Sequence, residues 1–281
     1  MNSHTTDASL RRILVALDSS LEGGARIEAA AALAARCGAE LLGLFIEDVD
    51  LLHLAGLPFA HEIAHTTASR RALDSVTMER TLRAQAEELR RHLESSAARA
   101  HITWSFRIAR GHVVPELLAL ASDIDLMIVG DLAQVCRPGR APAAAMRRVL
   151  MEASCSVLIH RHNQSGTQLV AVFLDNAAYD DKLLTIGAQL SMAGNRELLV
   201  LVPPSGGDVP TVTAETLEGL ARRGIGARIV SLGNAETGSL IRAVQAENAG
   251  ALVLAASSPV LHAPRDAAFL AEIKCGVVVV R

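Results

Sequence analysis

The sequence predicts an α/β fold built from two doubly wound, five-stranded parallel sheets in tandem. Half of the 281 residues are hydrophobic but only 2% are aromatic, which is typical of Ala- and Leu-rich helices packed on buried Val/Ile strands. Short apolar runs alternate with longer helix-like stretches, as in a parallel sheet covered by helices. The same order of runs then returns in the second half of the chain, which indicates a duplicated domain.

The first half contains the clearest series of elements. Five apolar runs predict strands at 13–18, 40–47, 101–109, 126–129 and 156–160. Four stretches between them predict helices at 22–37, 70–100, 113–121 and 141–153. Because strands and helices alternate, the strands are expected to be parallel, with helices on both faces of the sheet.

The second half repeats this scheme in shortened form. Residues 169–175 repeat the first apolar run and its terminal acid, and Gly233 opens a loop and helix as Gly111 does. The run that follows Cys275 matches the closing run that follows Cys155. A polar interval at 162–167 has the composition of a linker, so the predicted domains are 1–163 and 168–281.

Three segments together resemble the universal stress protein family, in a tandem two-domain form. They are the opening ILVALD strand, the Gly-led helix before DLMIVG, and the closing Ser-Cys-Ser-Val-Leu-Ile strand. The resemblance implies a Rossmann-like, adenine nucleotide alpha hydrolase-like fold, with ligands at the carboxyl ends of the strands. It also implies that the closing strands, 157–161 and 277–281, pair into an intramolecular pseudo-dimer, which could form a homodimer in turn.

Nucleotide-binding members of that family carry Gly-x-x-Gly, nine residues, and then Gly-Ser or Gly-Thr after the fourth strand. The glycines let backbone N–H groups approach phosphate oxygens, and the hydroxyl adds a donor at a helix start. In this sequence Gly130 is present, but the other three positions fall on Ala133, Ala143 and Ala144. The resemblance therefore implies a degenerate nucleotide site, no cofactor, and a non-enzymatic regulatory or stress-response module that binds a protein partner.

The remaining nucleotide candidates follow from the same resemblance. Asp18 and Asp175 occupy the position that faces the adenosine of a nucleotide, and Ile46 is expected to line that pocket. An N-cap at a strand–helix turn is the alternative for each aspartate. Gly139 and Arg140 lie nearby and could rebuild an anion site, in which case the chain would be an ATP-binding switch.

A separate motif, His61-Glu62-Ile63-Ala64-His65, matches the H-E-x-x-H pattern of zinc hydrolases. On a helix, His61 and His65 would share one face and could hold Zn²⁺. Pro58 lies just upstream and no third ligand follows at a recognised spacing, so a polar, partly helical insertion is the other interpretation. The apolar residues of this insertion, at 48–69, predict either packing over the carboxyl edge of the sheet or a protein-contact surface.

Charge and cysteine usage set the expected partners and compartment. A net charge of −3 and few aromatic residues disfavour nucleic-acid binding. Four scattered cysteines without C-x-x-C spacing suggest reduced thiols and a cytoplasmic protein. No signal peptide and no apolar run of about 18 to 20 residues is found, so membrane insertion is not expected. The absence of a G-x-S-x-G elbow adds to the expectation that the protein is not an enzyme.

Overall fold

The computed structural model describes most of the chain. The described residues are 10–18, 23–58, 61–63, 70–72, 74–130, 142–161, 169–175, 180–192, 197–203, 214–222, 224–234, 236–262, 269–270 and 272–281.

The elements of the first half follow the predicted alternation. Its strands are β1 (Arg12–Leu17), β2 (Glu40–Asp48), β3 (His61–Ile63), β4 (Arg70–Ala72), β5 (Trp104–Gly111), β6 (Leu126–Val129) and β7 (Ser156–Ile159). Its helices are α1 (Gly23–Cys37), α2 (Val49–Ala55), α3 (Ser75–Ala100), α4 (Val113–Leu120) and α5 (Pro142–Glu152), and a 3₁₀ turn (Ala121–Asp123) follows α4.

The second half has the same rhythm with shorter elements. Its strands are β8 (Val170–Phe173), β9 (Leu198–Val202), β10 (Ala227–Ser231), β11 (Ala251–Ala255) and β12 (Gly276–Val280). Its helices are α6 (Asp180–Met192), α7 (Ala214–Arg222), α8 (Thr237–Ala246) and α9 (Pro259–His262).

The long helix of the first half begins later than the sequence predicts. The expected start at residue 70 is wrong, because Arg70–Ala72 forms a strand that pairs with His61–Ile63. The helix begins instead at Ser75, where the Asp74 carboxylate accepts a hydrogen bond from Thr77 N at 2.9 Å, the geometry of an N-cap. His101 ends the helix in the left-handed conformation (φ 54°), so the next strand also begins three residues later than predicted.

All ten main strands lie in one sheet, in the order β10-β9-β8-β11-β12-β7-β6-β1-β2-β5. Within each half the strands are parallel and follow the same order, third, second, first, fourth, fifth, so the two doubly wound units are confirmed. The units are not separate sheets, however, because β7 and β12 pair antiparallel. The split at 162–167 lies outside the described residues, and the domain limits stay a prediction.

Two arginines cross the junction between the halves. Arg161, after β7, donates a hydrogen bond from Nη2 to the carbonyl oxygen of Leu270, and Arg281, after β12, donates from Nη2 to that of Leu150. Each residue lies 120 positions from its counterpart, so the two contacts exchange under the pseudo-twofold axis of the β7–β12 pair. This reciprocity is what an isologous interface gives.

The apolar core forms one layer on each face of the sheet, and both layers run through the junction. Val157 and Val279 belong to one layer, while Leu158 and Val278 belong to the other. Because both halves contribute to both layers, burial of the closing strands stabilises the pairing of the halves as well as each half.

Candidate functional site

The order of strands reverses between β1 and β6 in the first half and between β8 and β11 in the second. In open α/β sheets, the crevice outside the carboxyl ends of such a strand pair is the usual ligand site. Asp18 directly follows β1 and Gly130 directly follows β6, so two residues predicted for the nucleotide site lie at the first crevice. Asp175 lies at the second.

The first crevice is filled by a side chain that the sequence analysis missed, Arg26 of α1. Its side chain is 1% exposed, and it is the largest among the fully buried side chains of the described residues. Arg26 Nη1 donates hydrogen bonds to the carbonyl oxygen of Ala16 and to Asp18 Oδ2, both at 3.0 Å. The Asp18 carboxylate therefore forms a buried ion pair within the protein.

Gly130 contacts the same guanidinium from the other side of the crevice. A Cβ atom on Gly130 would lie 1.9 Å from Arg26 Nη2 and 2.3 Å from Arg26 Cζ. Since no such contact is sterically possible, only glycine can stand here while Arg26 keeps its position. On this side of Gly130, therefore, the Arg26 guanidinium lies directly against the backbone.

The carboxylate at the second crevice has a different partner. Ser258, which is fully buried, donates a hydrogen bond from Oγ to Asp175 Oδ2. Burial raises the pKa of Asp175 above its usual range, and the serine hydrogen bond only partly opposes that rise. The second carboxylate is therefore tied to its neighbour, as the first is.

The residues that replace Arg26 and Gly130 in the second half are apolar. Leu183 lies eight residues after Asp175, as Arg26 does after Asp18, and Leu183 is fully buried. Ala255 ends β11, at the position that Gly130 holds after β6. The larger arginine occurs with glycine in the first half, and the smaller leucine occurs with the larger alanine in the second. A loss of side-chain volume at one position is thus offset by a gain at the other.

No protein-family model and no curated protein matches the chain. Among solved structures, it is similar to a universal stress protein from Archaeoglobus fulgidus DSM 4304, with 15% identity, a TM-score of 0.66 and 96% of each chain covered. The chain has the universal stress protein fold. It is also similar to a functionally unknown protein from Pseudomonas aeruginosa PAO1, with 16% identity, a TM-score of 0.58, and 97% of this chain and 93% of that chain covered.

Three other residues were predicted for the nucleotide site of this universal stress protein fold, and the structure describes one of them, Ile46. Ile46 is half-buried near the end of β2 and packs against the apolar layer that includes Val114 of α4. Gly139 and Arg140 lie outside the described residues. The N-cap alternative for Asp18 and for Asp175 depends on residues 19–22 and 176–179, which lie outside the described residues, so it stays a prediction.

The H-E-x-x-H segment does not begin as a helix. His61 is exposed and belongs to the short strand β3, and His65 lies outside the described residues. In a strand, successive side chains point to opposite faces, so the helical face that the zinc prediction requires is not formed at 61–63. The described residues do bring together one group with metal-ligand chemistry elsewhere, Asp48, Asp50 and His112.

The described part of the apolar insertion after β2 packs inward at one residue and is exposed at others. Leu52 of α2 packs against Phe45 and Leu82, which covers the carboxyl end of β2. Leu51 and Leu57 are 36% and 38% exposed, respectively. One side of the insertion thus belongs to the core, and the other presents apolar surface.

The cysteines nearest the junction have little reactivity. Burial raises the pKa of Cys155 and of Cys275 to about 11. At neutral pH both therefore remain protonated thiols, the less nucleophilic form.

Among the helices in the described part of the chain, none combines the length and apolar character that crossing a bilayer requires.

Proposed function

We propose that this chain is a non-catalytic regulatory module of the universal stress protein type, which acts by binding a protein partner. The observation that carries the proposal is the buried Arg26 guanidinium, which occupies the crevice between Asp18 and Gly130. A nucleotide site of the usual form needs this space and a carboxylate that is available to the ligand.

The residues described at the first crevice argue against an adenine nucleotide there. Arg26 could attract a phosphate group only if it were accessible, and all but 1% of its side chain is removed from solvent. Moving it would separate it from Asp18, and breaking a buried ion pair costs about 3–5 kcal/mol. That cost would weaken nucleotide binding by about two to three and a half orders of magnitude.

Two further features support action through a protein partner. At the second crevice the Asp175 carboxylate is also engaged within the protein, by the hydrogen bond from Ser258. The insertion presents Leu51 and Leu57 to solvent at the carboxyl edge of the sheet, where apolar surface favours a protein contact. The high pKa values of Cys155 and Cys275 give no support to catalysis by these thiols.

Calorimetric titration of the purified, tag-free chain with Mg-ATP tests the closed crevice. We expect no saturable binding at millimolar ATP, and native mass spectrometry should show no nucleotide carried through purification. Saturable binding that Asp18→Ala abolishes would refute the proposal and establish the nucleotide switch instead.

The partner is tested by cross-linking and affinity capture from the source cells. A specific partner should be retained by the native chain and lost from a Leu51→Ser/Leu57→Ser variant with unchanged thermal stability. Leu52 packs inward, so it is left unaltered in this comparison. Equal capture by both forms would remove the insertion from the proposed contact.

A further inference from the structure

Two carboxylates and an imidazole meet at the carboxyl ends of the neighbouring strands β2 and β5. Asp48 is the last residue of β2, Asp50 lies in the first turn of α2, and His112 immediately follows β5. The parallel register pairs Asp48 with Gly111, which fixes His112 beside the two aspartates. One ligand atom of each of the three residues lies within 4.8 Å of the other two.

The spacing of these atoms suits a shared ion better than a direct hydrogen bond. His112 Nδ1 lies 3.5 Å from Asp50 Oδ2, beyond the usual length of a good hydrogen bond. Two ligands at about 2.1 Å from a tetrahedral Zn²⁺ are about 3.4 Å apart. The third ligand atom, on Asp48, lies within 4.8 Å of the other two.

Asp48 is oriented by a backbone contact, and the His112 ring makes no capping hydrogen bond. Asp50 N donates to Asp48 Oδ1 at 2.9 Å, which fixes the Asp48 carboxylate by one of its two oxygens. His112 occupies the N-cap position of α4 but makes no side-chain capping hydrogen bond. The start of that helix is therefore not capped by a hydrogen bond to the His112 ring.

The second half provides a comparison for His112. There the strand register makes Asn234 the counterpart of Gly111, one residue before the place of His112, and Asn234 Oδ1 accepts a hydrogen bond from Glu236 N at 3.2 Å. The residues that follow β9, 203–207, contain no aspartate, glutamate or histidine.

We propose that Asp48, Asp50 and His112 form a binding site for one divalent cation of the zinc class. Imidazole nitrogen with carboxylate oxygen is a donor set that suits Zn²⁺. The N-termini of α2 and α4 oppose a cation with about half a positive charge each, but the two carboxylates supply two negative charges. Three protein ligands leave a fourth position open to water, and the ion would join the loop after β2 to the loop after β5.

Zinc titration of the chelator-stripped, tag-free full chain tests the site, by calorimetry and by native mass spectrometry. We expect one Zn²⁺ per chain, with affinity reduced at least tenfold in His112→Ala and in Asp50→Asn. The Asp50→Asn change keeps the backbone N–H that holds Asp48, so apo stability should stay close to that of the native chain.

Two matched controls locate the ion. His53→Ala removes an exposed imidazole from α2 itself, and His61→Ala removes the first histidine of the H-E-x-x-H segment. Both should bind zinc like the native chain. The proposal is overturned if no zinc binds, if binding survives in His112→Ala, or if only His61→Ala loses it. Visible absorption of the Co²⁺-loaded native chain gives a check independent of any variant, and an octahedral, water-like spectrum would contradict the site.

Discussion

Replacing Gly130 with alanine should destabilise the first half of the sheet severely, although the change adds one methyl group. The new Cβ would lie 1.9 Å from Arg26 Nη2, whereas ordinary contacts between such atoms are about 3.4 Å or longer. Arg26 must therefore move by about 1.5 Å, and it is held by both Ala16 and Asp18. Relief of the steric clash therefore weakens the ion pair between Arg26 and Asp18.

The expected magnitude follows from the two contributions. Overpacking a close-packed interior costs about 1–3 kcal/mol, and separating a buried ion pair costs about 3–5 kcal/mol. These costs overlap, because moving the guanidinium relieves the overlap. We expect Gly130→Ala to lower the free energy of unfolding by about 3–5 kcal/mol.

A double-mutant cycle with Arg26→Leu tests the cause. This pair recreates the combination that the second half uses, Leu183 with Ala255. Arg26→Leu alone should cost about 3 kcal/mol, because Asp18, whose side chain is only 17% exposed, loses its cation. Adding Gly130→Ala to that variant should cost little more, so the coupling energy should approach the whole cost of Gly130→Ala alone, about 3–5 kcal/mol.

Urea unfolding followed by the fluorescence of Trp104 provides the assay. Trp104 is the single tryptophan of the chain and belongs to β5, the edge strand of the first half. The reasoning is refuted if Gly130→Ala unfolds within 0.5 kcal/mol of the native chain, a range typical of neutral surface changes. It is also refuted if the two single costs simply add in the double variant.

Three further predictions concern the junction and the buried acids and thiols. Arg161→Ala should lower the free energy of unfolding by about 1.5–3 kcal/mol, because it leaves the carbonyl oxygen of Leu270 without this hydrogen-bond donor. Arg281→Ala should have the same effect through the carbonyl oxygen of Leu150. Urea unfolding that shows no loss of stability in either variant would contradict the reciprocal contact. Asp175→Asn should stabilise the protein at pH 7 and lose that advantage as the pH falls towards about 4. The sign follows because burial raises the pKa of Asp175 in the folded state, so its contribution to stability is present at low pH and lost as pH rises; thermal melts across this range that show the opposite trend would exclude it. Cys155 and Cys275 should react with iodoacetamide at pH 8 far more slowly than the unfolded chain does, since burial raises the pKa of each thiol to about 11, and mass spectrometry of the labelled peptides checks this.

The sequence by itself determined the elements and their repetition. Strands such as β6 and β11 are continuous apolar runs, and the periodicity of such runs is a local property that survives without knowledge of the fold. The order of these runs, with the resemblance they carry, was enough to predict the doubly wound units. The same locality explains the error at Arg70, where a charged stretch gave no sign that the chain first turns back as β4.

Only the tertiary structure decided which contacts Arg26, Asp18 and Gly130 make at the crevice. In the sequence, Arg26 is one more polar residue of an Ala-rich helix. Its burial depends on contacts with Asp18 and Gly130, which follow two different strands, β1 and β6. Contacts between residues far apart in sequence leave no periodic trace, because burial and pairing are decided by distance in space.

The junction and the candidate metal site depend on the tertiary structure for the same reason. Arg161 and Leu270 are 109 residues apart in sequence, and their contact requires the antiparallel pairing of β7 with β12. Asp50 and His112 meet only because β2 and β5 are neighbours in parallel register. Sequence patterns thus specified which segments form strands and helices. The packing of those segments decided that Arg26 pairs with Asp18 and that Asp50 meets His112 at the strand ends.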